Sequence, residues 1–291
     1  MPWYIYSLLA VLTGSFAALS QKWALNLKVN KNKFLVYVFL GLLVCYVFYS
    51  FNDLKTIIYS ANFLPYLKWG ILVAIFSMIG NLAGVYAYDQ SPNPGYVQAI
   101  GSMNALIVLG FAAILFNSPV SWLKLIGIII VIIGIIPLFY RKSLKKSKLW
   151  QLPAIISMLA YGLMVLVVKQ MGNLGFSSRE ILSVLFFFGT IGFLIVYFLG
   201  RRSEPEVKAA RIVIVPVFFY IILAFFGNLF TFIAINVAPN AGYAASVGNS
   251  SVIVVLFLSI LFFPKDQGGE FNLSKWLGVL MVVVGVILTV F

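Results

Sequence analysis

The chain has no histidine, one cysteine (Cys45) and seven acidic residues among 291. Without histidine, and with carboxylates this sparse, metal centres and general acid–base catalysis lack their usual side chains. A single cysteine excludes an internal disulfide and a thiolate cluster. No apolar run holds two carboxylates and no cysteine faces a base, so the sequence reads as a non-enzyme with no cofactor and no metal. Charge of either sign is scarce, at 9% of residues against 63% hydrophobic. Mean hydropathy is +1.06. A water-soluble domain of this length could not cover its surface with so few polar residues.

Apolar runs of about 20 residues, the length that crosses hydrocarbon as a helix, recur throughout instead. Ten spans are predicted, at 3–26, 34–51, 67–89, 94–116, 121–140, 150–171, 180–200, 212–237, 241–263 and 275–291. Lipid leaves no unpaired backbone, so these are read as helices, and the polar–apolar alternation of a barrel is absent. The fold class is an all-α integral membrane protein with ten transmembrane helices. The first run lacks a basic leader and a small-residue cleavage site, and is read as a span rather than a signal. A net charge of +13 does not point to nucleic acid here, because basic residues between spans follow from the positive-inside bias. The lipid bilayer is the expected partner.

The chain also repeats itself. Residues 80–116, "GNLAGVYAYDQSPNPGYVQAIGSMNALIVLGFAAILF", align without a gap on 227–263, "GNLFTFIAINVAPNAGYAASVGNSSVIVVLFLSILFF", with 12 of 37 positions identical at an offset of 147. Lys22, Asn26 and Leu27 match Lys169, Asn173 and Leu174 at the same offset. "LKLIGIIIVIIGII" (123–136) matches "SKWLGVLMVVVGVI" (274–287) at 151, so the second copy carries four extra loop residues. The expected organisation is a five-helix repeat over 1–140, a basic linker over 141–149 and a second five-helix repeat over 150–291. Copies with an odd number of spans enter the membrane in opposite senses, which predicts an inverted repeat about an axis in the membrane plane.

Sorting the 20 Lys and Arg by alternate connections puts fourteen on the side of the linker and four on the other, with Lys22 and Lys169 inside helix ends. That bias places both termini outside the cytoplasm.

Polar side chains in hydrocarbon usually face a cavity or another helix. Here they gather on spans one, three, four, six, eight and nine, while five and ten are aliphatic and two and seven aromatic-rich. The partition respects the repeat and predicts a wet cavity between half-bundles. Gln98 and Ser102 share one face of span four at i, i+4, and Asn249 lies on the polar face of span nine. Asn81 and Asn228 hold equivalent places on spans three and eight, as interhelical glue or as cavity groups, beside Gly80 and Gly227. Gln21 on span one and Tyr161 on span six complete the candidate substrate-binding set of Gln21, Asn81, Gln98, Ser102, Tyr161, Asn228 and Asn249.

Lys22 and Lys169 are either snorkelling or capping residues or vestibule lysines that meet anionic groups on opposite sides. Asp89 borders the turn "DQSPNPG" and is read as a cap. Tyr96 and Tyr243, at the starts of spans four and nine, are read as membrane-interface tyrosines. Gly127 and Gly134 match Gly278 and Gly285, two flat stripes for close packing within the chain or in a homodimer through spans five and ten.

The hairpins "AYDQSPNPGYVQAI" (87–100) and "AINVAPNAGYAASV" (234–247), with the closing helices "LKLIGIIIVIIGII" and "SKWLGVLMVVVGVI", resemble the drug/metabolite transporter superfamily, in particular EamA-type transporters. The resemblance covers essentially the whole chain. It implies ten helices, a central site lined by spans one, three, four, six, eight and nine, and a multi-pass protein of a prokaryotic cell membrane. Two features depart from the family's usual pattern. The family usually has a glutamate just before spans five and ten, where this chain reads "FNSPVSW" and "FPKDQGGEFNLSKW", and its cytoplasmic termini oppose the charge count, which leaves orientation open.

The expected function is secondary-active or facilitative transport of a small organic solute by alternating access between inverted repeats. With no carboxylate deep in a helix, the solute is expected to be neutral, zwitterionic or weakly anionic, such as an amino acid, moved by facilitated diffusion or exchange. The alternative is a lipid-handling or structural membrane protein whose polar groups only join helices.

Overall fold

Backbone N–H and C=O groups in hydrocarbon must pair within the protein, and helices alone do this among the described residues. The computed structural model describes residues 1–27, 29–91, 94–139, 150–200, 211–262 and 273–290. The linker 141–149 and the four extra loop residues of the second copy lie outside them. The helices are α1 (Trp3–Asn26), α2 (Lys31–Tyr49), α3 (Phe51–Ile58), α4 (Phe63–Gln90), α5 (Pro94–Ser102), α6 (Asn104–Phe116) and α7 (Trp122–Phe139). They continue with α8 (Gln151–Asn173), α9 (Ser178–Gly200), α10 (Arg211–Val237), α11 (Ala241–Asn249), α12 (Ser251–Phe262) and α13 (Leu273–Val290). Six of these, within α1, α2, α4, α8, α9 and α10, are long and apolar enough to cross a membrane, so the chain is a multi-pass integral membrane protein.

The remaining four expected spans look different. The fourth and ninth are broken, between α5 and α6 at Met103 and between α11 and α12 at Ser250. These two positions are 147 residues apart. At each, the backbone N–H turns back to the third preceding carbonyl: Met103 to Ile100 at 3.2 Å and Ser250 to Val247 at 3.1 Å. Ser250 Oγ also donates to the Val247 carbonyl at 2.8 Å, a side-chain competitor for the helical ladder. The fifth and tenth, α7 and α13, are apolar but shorter. Between α2 and α4 the expected loop holds the short helix α3, which buries Ile57 and leaves Phe51 and Ile58 outside.

Packing exchanges under the 147-residue offset. α1 lies along α10 as α8 lies along α4, α2 packs on α9, and α7 packs on α13. Phe39 and Phe186, themselves 147 apart, meet at 5.2 Å between ring centroids where α2 crosses α9, and Tyr46 stacks on Phe186 at 5.3 Å. The glycine stripes of α7 and α13 face each other. A Cβ on Gly127 would stand 2.7 Å from the Gly285 carbonyl oxygen, one on Gly285 2.5 Å from that of Gly127, and one on Gly134 2.8 Å from that of Gly278. Neither helix can yield, because the obstacle is backbone on both sides. Gly285→Leu should lower thermal stability by about 1–3 kcal/mol through overpacking, whereas Ile133→Leu on the outward face of α7 should leave the melting temperature unchanged. Thermal unfolding of the two detergent-purified variants checks this.

Candidate functional site

Helices approach most closely where a glycine lets backbone meet side chain. At Gly80 of α4 the Tyr161 ring of α8 lies about where a Cβ would touch it, 3.0 Å away, and Ser157 Oγ donates to the Gly80 carbonyl at 2.8 Å. At Gly227 of α10 the neighbour is Thr13 Oγ1 of α1, at 3.2 Å. With the glycines carrying these crossings, the asparagines beside them, Asn81 and Asn228, turn to the centre. They line a cavity of about 350 Å³ bounded by α1, α2, α4, α5, α8, α9, α10 and α11, with Asn104 and Ser251 at the starts of α6 and α12. Among the described residues, no Lys, Arg, Asp or Glu lines it. The aromatic-rich helices α2 and α9 supply wall through Phe39 and Phe186, which the polar census did not anticipate because these side chains are apolar. Among the described residues, α7 and α13 contribute nothing to the lining.

Of the candidate set, Gln21, Asn81, Gln98, Tyr161, Asn228 and Asn249 line the cavity and Ser102 does not. Ser102 is buried, and its carbonyl accepts from Asn249 Nδ2 at 2.8 Å; the same nitrogen also donates to Asn104 Oδ1 at 3.2 Å. Asn249 thus bridges the two helix breaks. Gln98 Nε2 donates to the Tyr88 hydroxyl at 2.6 Å, and Asn81 Nδ2 donates to the Ser77 carbonyl at 2.8 Å. Gln21, Tyr161 and Asn228 line the cavity with no hydrogen-bond partner among the described residues, so their polar groups are available to a ligand. Tyr220 is in the same position and was not anticipated; it is set against Phe34 at 5.5 Å. Its spacing of eight residues from Asn228 puts both on one face of α10, a signal present in the sequence.

Lys22 and Lys169 are buried and do not line the cavity. Lys22 Nζ donates to the carbonyls of Tyr88 at 3.1 Å and Ser91 at 3.2 Å. Lys169 Nζ donates to those of Asn236 at 3.1 Å and Ala238 at 2.8 Å. Each ammonium therefore sits on the C-terminus of α4 or α10, where carbonyls lack intrahelical partners and the helix dipole is negative.

Asp89 is not a cap. Its carboxylate pairs with Lys31 Nζ at 2.7 Å, and that ammonium also lies 4.5 Å from the Tyr86 ring centroid. Shifted by 147, Lys31 and Asp89 become Ser178 and Asn236, and Asn236 Nδ2 donates to Ser178 Oγ at 3.0 Å. The start of α2 is tied to the end of α4 by an ion pair, and the start of α9 to the end of α10 by the equivalent neutral bond. Tyr243 is not an interface residue either. It is 2% exposed, and its hydroxyl accepts from the Ser121 N–H at 2.9 Å and donates to the Pro119 carbonyl at 3.0 Å, fixing the connection before α7. The side chain of Tyr96 lies outside the described residues.

The profile of the EamA-like transporter family matches residues 148–291. No curated protein matches the sequence. Among solved structures 28 chains match. One, described only as "Crystal structure of protein", superposes with a TM-score of 0.72 over 99% of this chain and 96% of its own, at 11% identity, a likeness of fold alone.

Asp89→Asn, which gives the first copy the second copy's residue, should cost less than about 1 kcal/mol at low salt and nothing at about 1 M salt, where a half-exposed ion pair is screened. Ser178→Ala should give a small loss that salt does not change. Melting temperatures of both variants at the two salt concentrations check the pair.

Proposed function

We infer, from the premise that this chain belongs to the EamA-like transporter family of the drug/metabolite transporter superfamily and is a multi-pass membrane transporter, that it moves a small organic solute by alternating access around the central cavity. The solute is neutral, zwitterionic or weakly anionic, an amino acid being one example, and crosses by facilitated diffusion or exchange. The observation that carries this reading is the lining: amide and hydroxyl groups without partners, in a cavity that no charged side chain enters among the described residues. A strongly cationic solute would meet no counter-ion there, and a proton would meet no carboxylate carrier.

The proposed frame is ten spans in two inverted five-helix repeats, 1–140 and 150–291, joined by the linker 141–149. The exchange of helix contacts under the 147-residue offset supports it, as does the interruption of the fourth and ninth spans at equivalent positions. Broken helices beside a central site suit a transporter, since irregular backbone is tolerated in the membrane where it lines a cavity. Neither the family nor the cavity supplies a reacting group, and the proposed activity involves no catalysis. Lys22 and Lys169 keep a proposed vestibule role only if a ligand displaces them from the carbonyls they cap. A homodimer through spans five and ten would use their outward faces, since the glycine stripes already meet within the chain. The proposed location is a prokaryotic cell membrane.

A thermal-stability scan against amino acids, amines, sugars, nucleosides and organic phosphates tests the reading. A ligand at about 100 times its dissociation constant adds roughly 2.7 kcal/mol of stability if it binds only the folded state. One class of uncharged, zwitterionic or weakly anionic compounds should stand out. Silence across the panel would favour the lipid-handling or structural alternative. Uptake of the compound so identified into proteoliposomes should fall at least about tenfold, or 1.4 kcal/mol, in Asn228→Leu and in Gln98→Leu. Asn228→Leu should keep its melting temperature, because that side chain breaks no bond within the protein. Full transport by both variants would remove the cavity from the mechanism.

A further inference from the structure

Much of the cavity lining pairs off across the two copies; Asn81 and Asn228, or Phe39 and Phe186, match, yet several pairs differ in chemistry. Tyr88 is answered by Ile235, Gln98 by Ala245, Ser157 by Ala10 and Tyr161 by Gly14, each 147 residues on or back and all lining the cavity. The polar members lie together. Gln98 is bonded to Tyr88, the Ser157 hydroxyl approaches Gly84 one turn before Tyr88, and the Tyr161 ring lies against Gly80 a further turn away. Tyr220 lines the cavity from α10, and Gln21, next to the Lys22 that bonds the Tyr88 carbonyl, lines the same end on α1. Two pairs run the other way, Ser7 against Ala154 and Thr231 against Gly84. The Ser7 hydroxyl, however, is turned back on the Trp3 carbonyl at 3.4 Å.

The opposite end is walled by Ile235, Ala245 and Ala10, joined by Leu182 and Leu185 of α9. From Ser7 to Gln21 the cavity follows α1 for fourteen residues, about 21 Å at 1.5 Å per residue. The space is thus long, lined by no charged group among the described residues, rich in hydrogen-bonding groups at one end and mainly aliphatic at the other. A ligand matched to it needs donors and acceptors on one part and an apolar body on the rest. Hydroxyls and amides satisfy an uncharged head group, whereas an ionised head would be held in low dielectric without a counter-charge.

We propose that the central cavity binds an uncharged amphiphile, with a hydroxyl- or amide-bearing head at the Tyr88–Gln98–Tyr161 end and an apolar body toward Ile235 and Leu182. This narrows the solute of the transport reading and rests on that reading for the identity of the site, though not for the chemistry of the walls.

The test is binding to the full chain in nanodiscs, read as thermal shift and as affinity. One series keeps a phenyl body and changes the head: N-acetylphenylalaninamide and phenyl β-glucoside (uncharged), phenylalanine (zwitterionic), phenethylamine (cationic) and phenylacetate (anionic). N-acetylglycinamide and glucose keep a head and lack the body. The two uncharged phenyl compounds should raise the melting temperature most, and the two bodiless compounds should not raise it. Gln98→Ala, which installs the residue of the other copy, should weaken binding of N-acetylphenylalaninamide about tenfold, and Ile133→Leu, on the outward face of α7 and away from the cavity, should leave it unchanged. Equal or stronger response to a charged, zwitterionic or bodiless compound overturns the proposal, as does silence toward both uncharged amphiphiles. Uptake separates the two readings. Amphiphile binding with no transport of the bound compound would sink the transporter mechanism and keep the binding site, whereas transport of a bodiless solute without amphiphile preference would do the reverse.

Discussion

Asn249 donates its side-chain amide across the middle of the bundle to the carbonyl of Ser102, the residue that holds its own place in the other copy. When two equivalent residues touch, the operation that exchanges the copies passes between them. Both residues lie beside helix breaks, and at Ser102 the backbone carbonyl accepts the side-chain amide where the helix is interrupted. Around this point α5 meets α12 and α6 meets α11, and Gly101 and Gly248, with open space where a Cβ would be, lie one residue away. The central cavity follows from this arrangement: helices that bend at the axis leave room that straight ones would fill.

Backbone and side chains obey the repeat to different degrees. Crossings made through glycine recur, Gly80 against α8 and Gly227 against α1, because close approach of helices in lipid depends on small residues and gains little from any particular neighbour. The lining recurs only in part. Asn81 and Asn228, or Phe39 and Phe186, match, whereas Tyr88 and Ile235, or Gln98 and Ala245, differ. A side chain facing the cavity contributes little to holding the helices and is free to differ. The same divergence separates the two ties at the helix ends. Lys31–Asp89 is an ion pair sensitive to salt, and Ser178–Asn236 is a neutral bond in the same geometry. Opposite ends of one scaffold therefore differ in electrostatics while sharing their frame.

Much of this was legible in the sequence, for identifiable reasons. An ungapped offset of 147 is a property of the string, and long apolar runs announce membrane helices without knowledge of their partners. Asn81, Gln98 and Asn228 stood out because an amide in hydrocarbon is rare and needs a reason. The breaks at Met103 and Ser250 were hidden, since neither residue is a strong helix breaker and the interruption comes from local bonding such as Ser250 Oγ to the Val247 carbonyl. Tyr243 and Asp89 were misread for a different reason. Position near a turn suggested interface and cap, while their actual partners, Pro119 with Ser121 and Lys31, are brought near only by the fold. Tyr220 escaped because an aromatic residue in an apolar run is usually lipid-facing or core.

Three lysines of the described helices are kept off the cavity by one device. Lys22 caps α4, Lys169 caps α10, and Lys124 Nζ donates to the carbonyls of Thr289 and Val290, 3.2 and 3.1 Å away, at the end of α13. Each ammonium meets the negative end of a helix dipole and carbonyls that would otherwise lack partners. Of the carboxylates near helix ends, Asp53 and Asp89 are taken by Arg179 at 3.2 Å and by Lys31, and Glu180 accepts from the Ser177 N–H at 2.6 Å. With these charges committed to backbone ends and to one another, the potential inside the cavity is set by amide and hydroxyl dipoles. Such dipoles can be met by a ligand's own hydroxyls or amides but cannot balance a full charge. The scarcity of acidic and basic residues in the sequence and the neutrality of the cavity are therefore linked: a chain with so few charges to place puts them where helix ends need them.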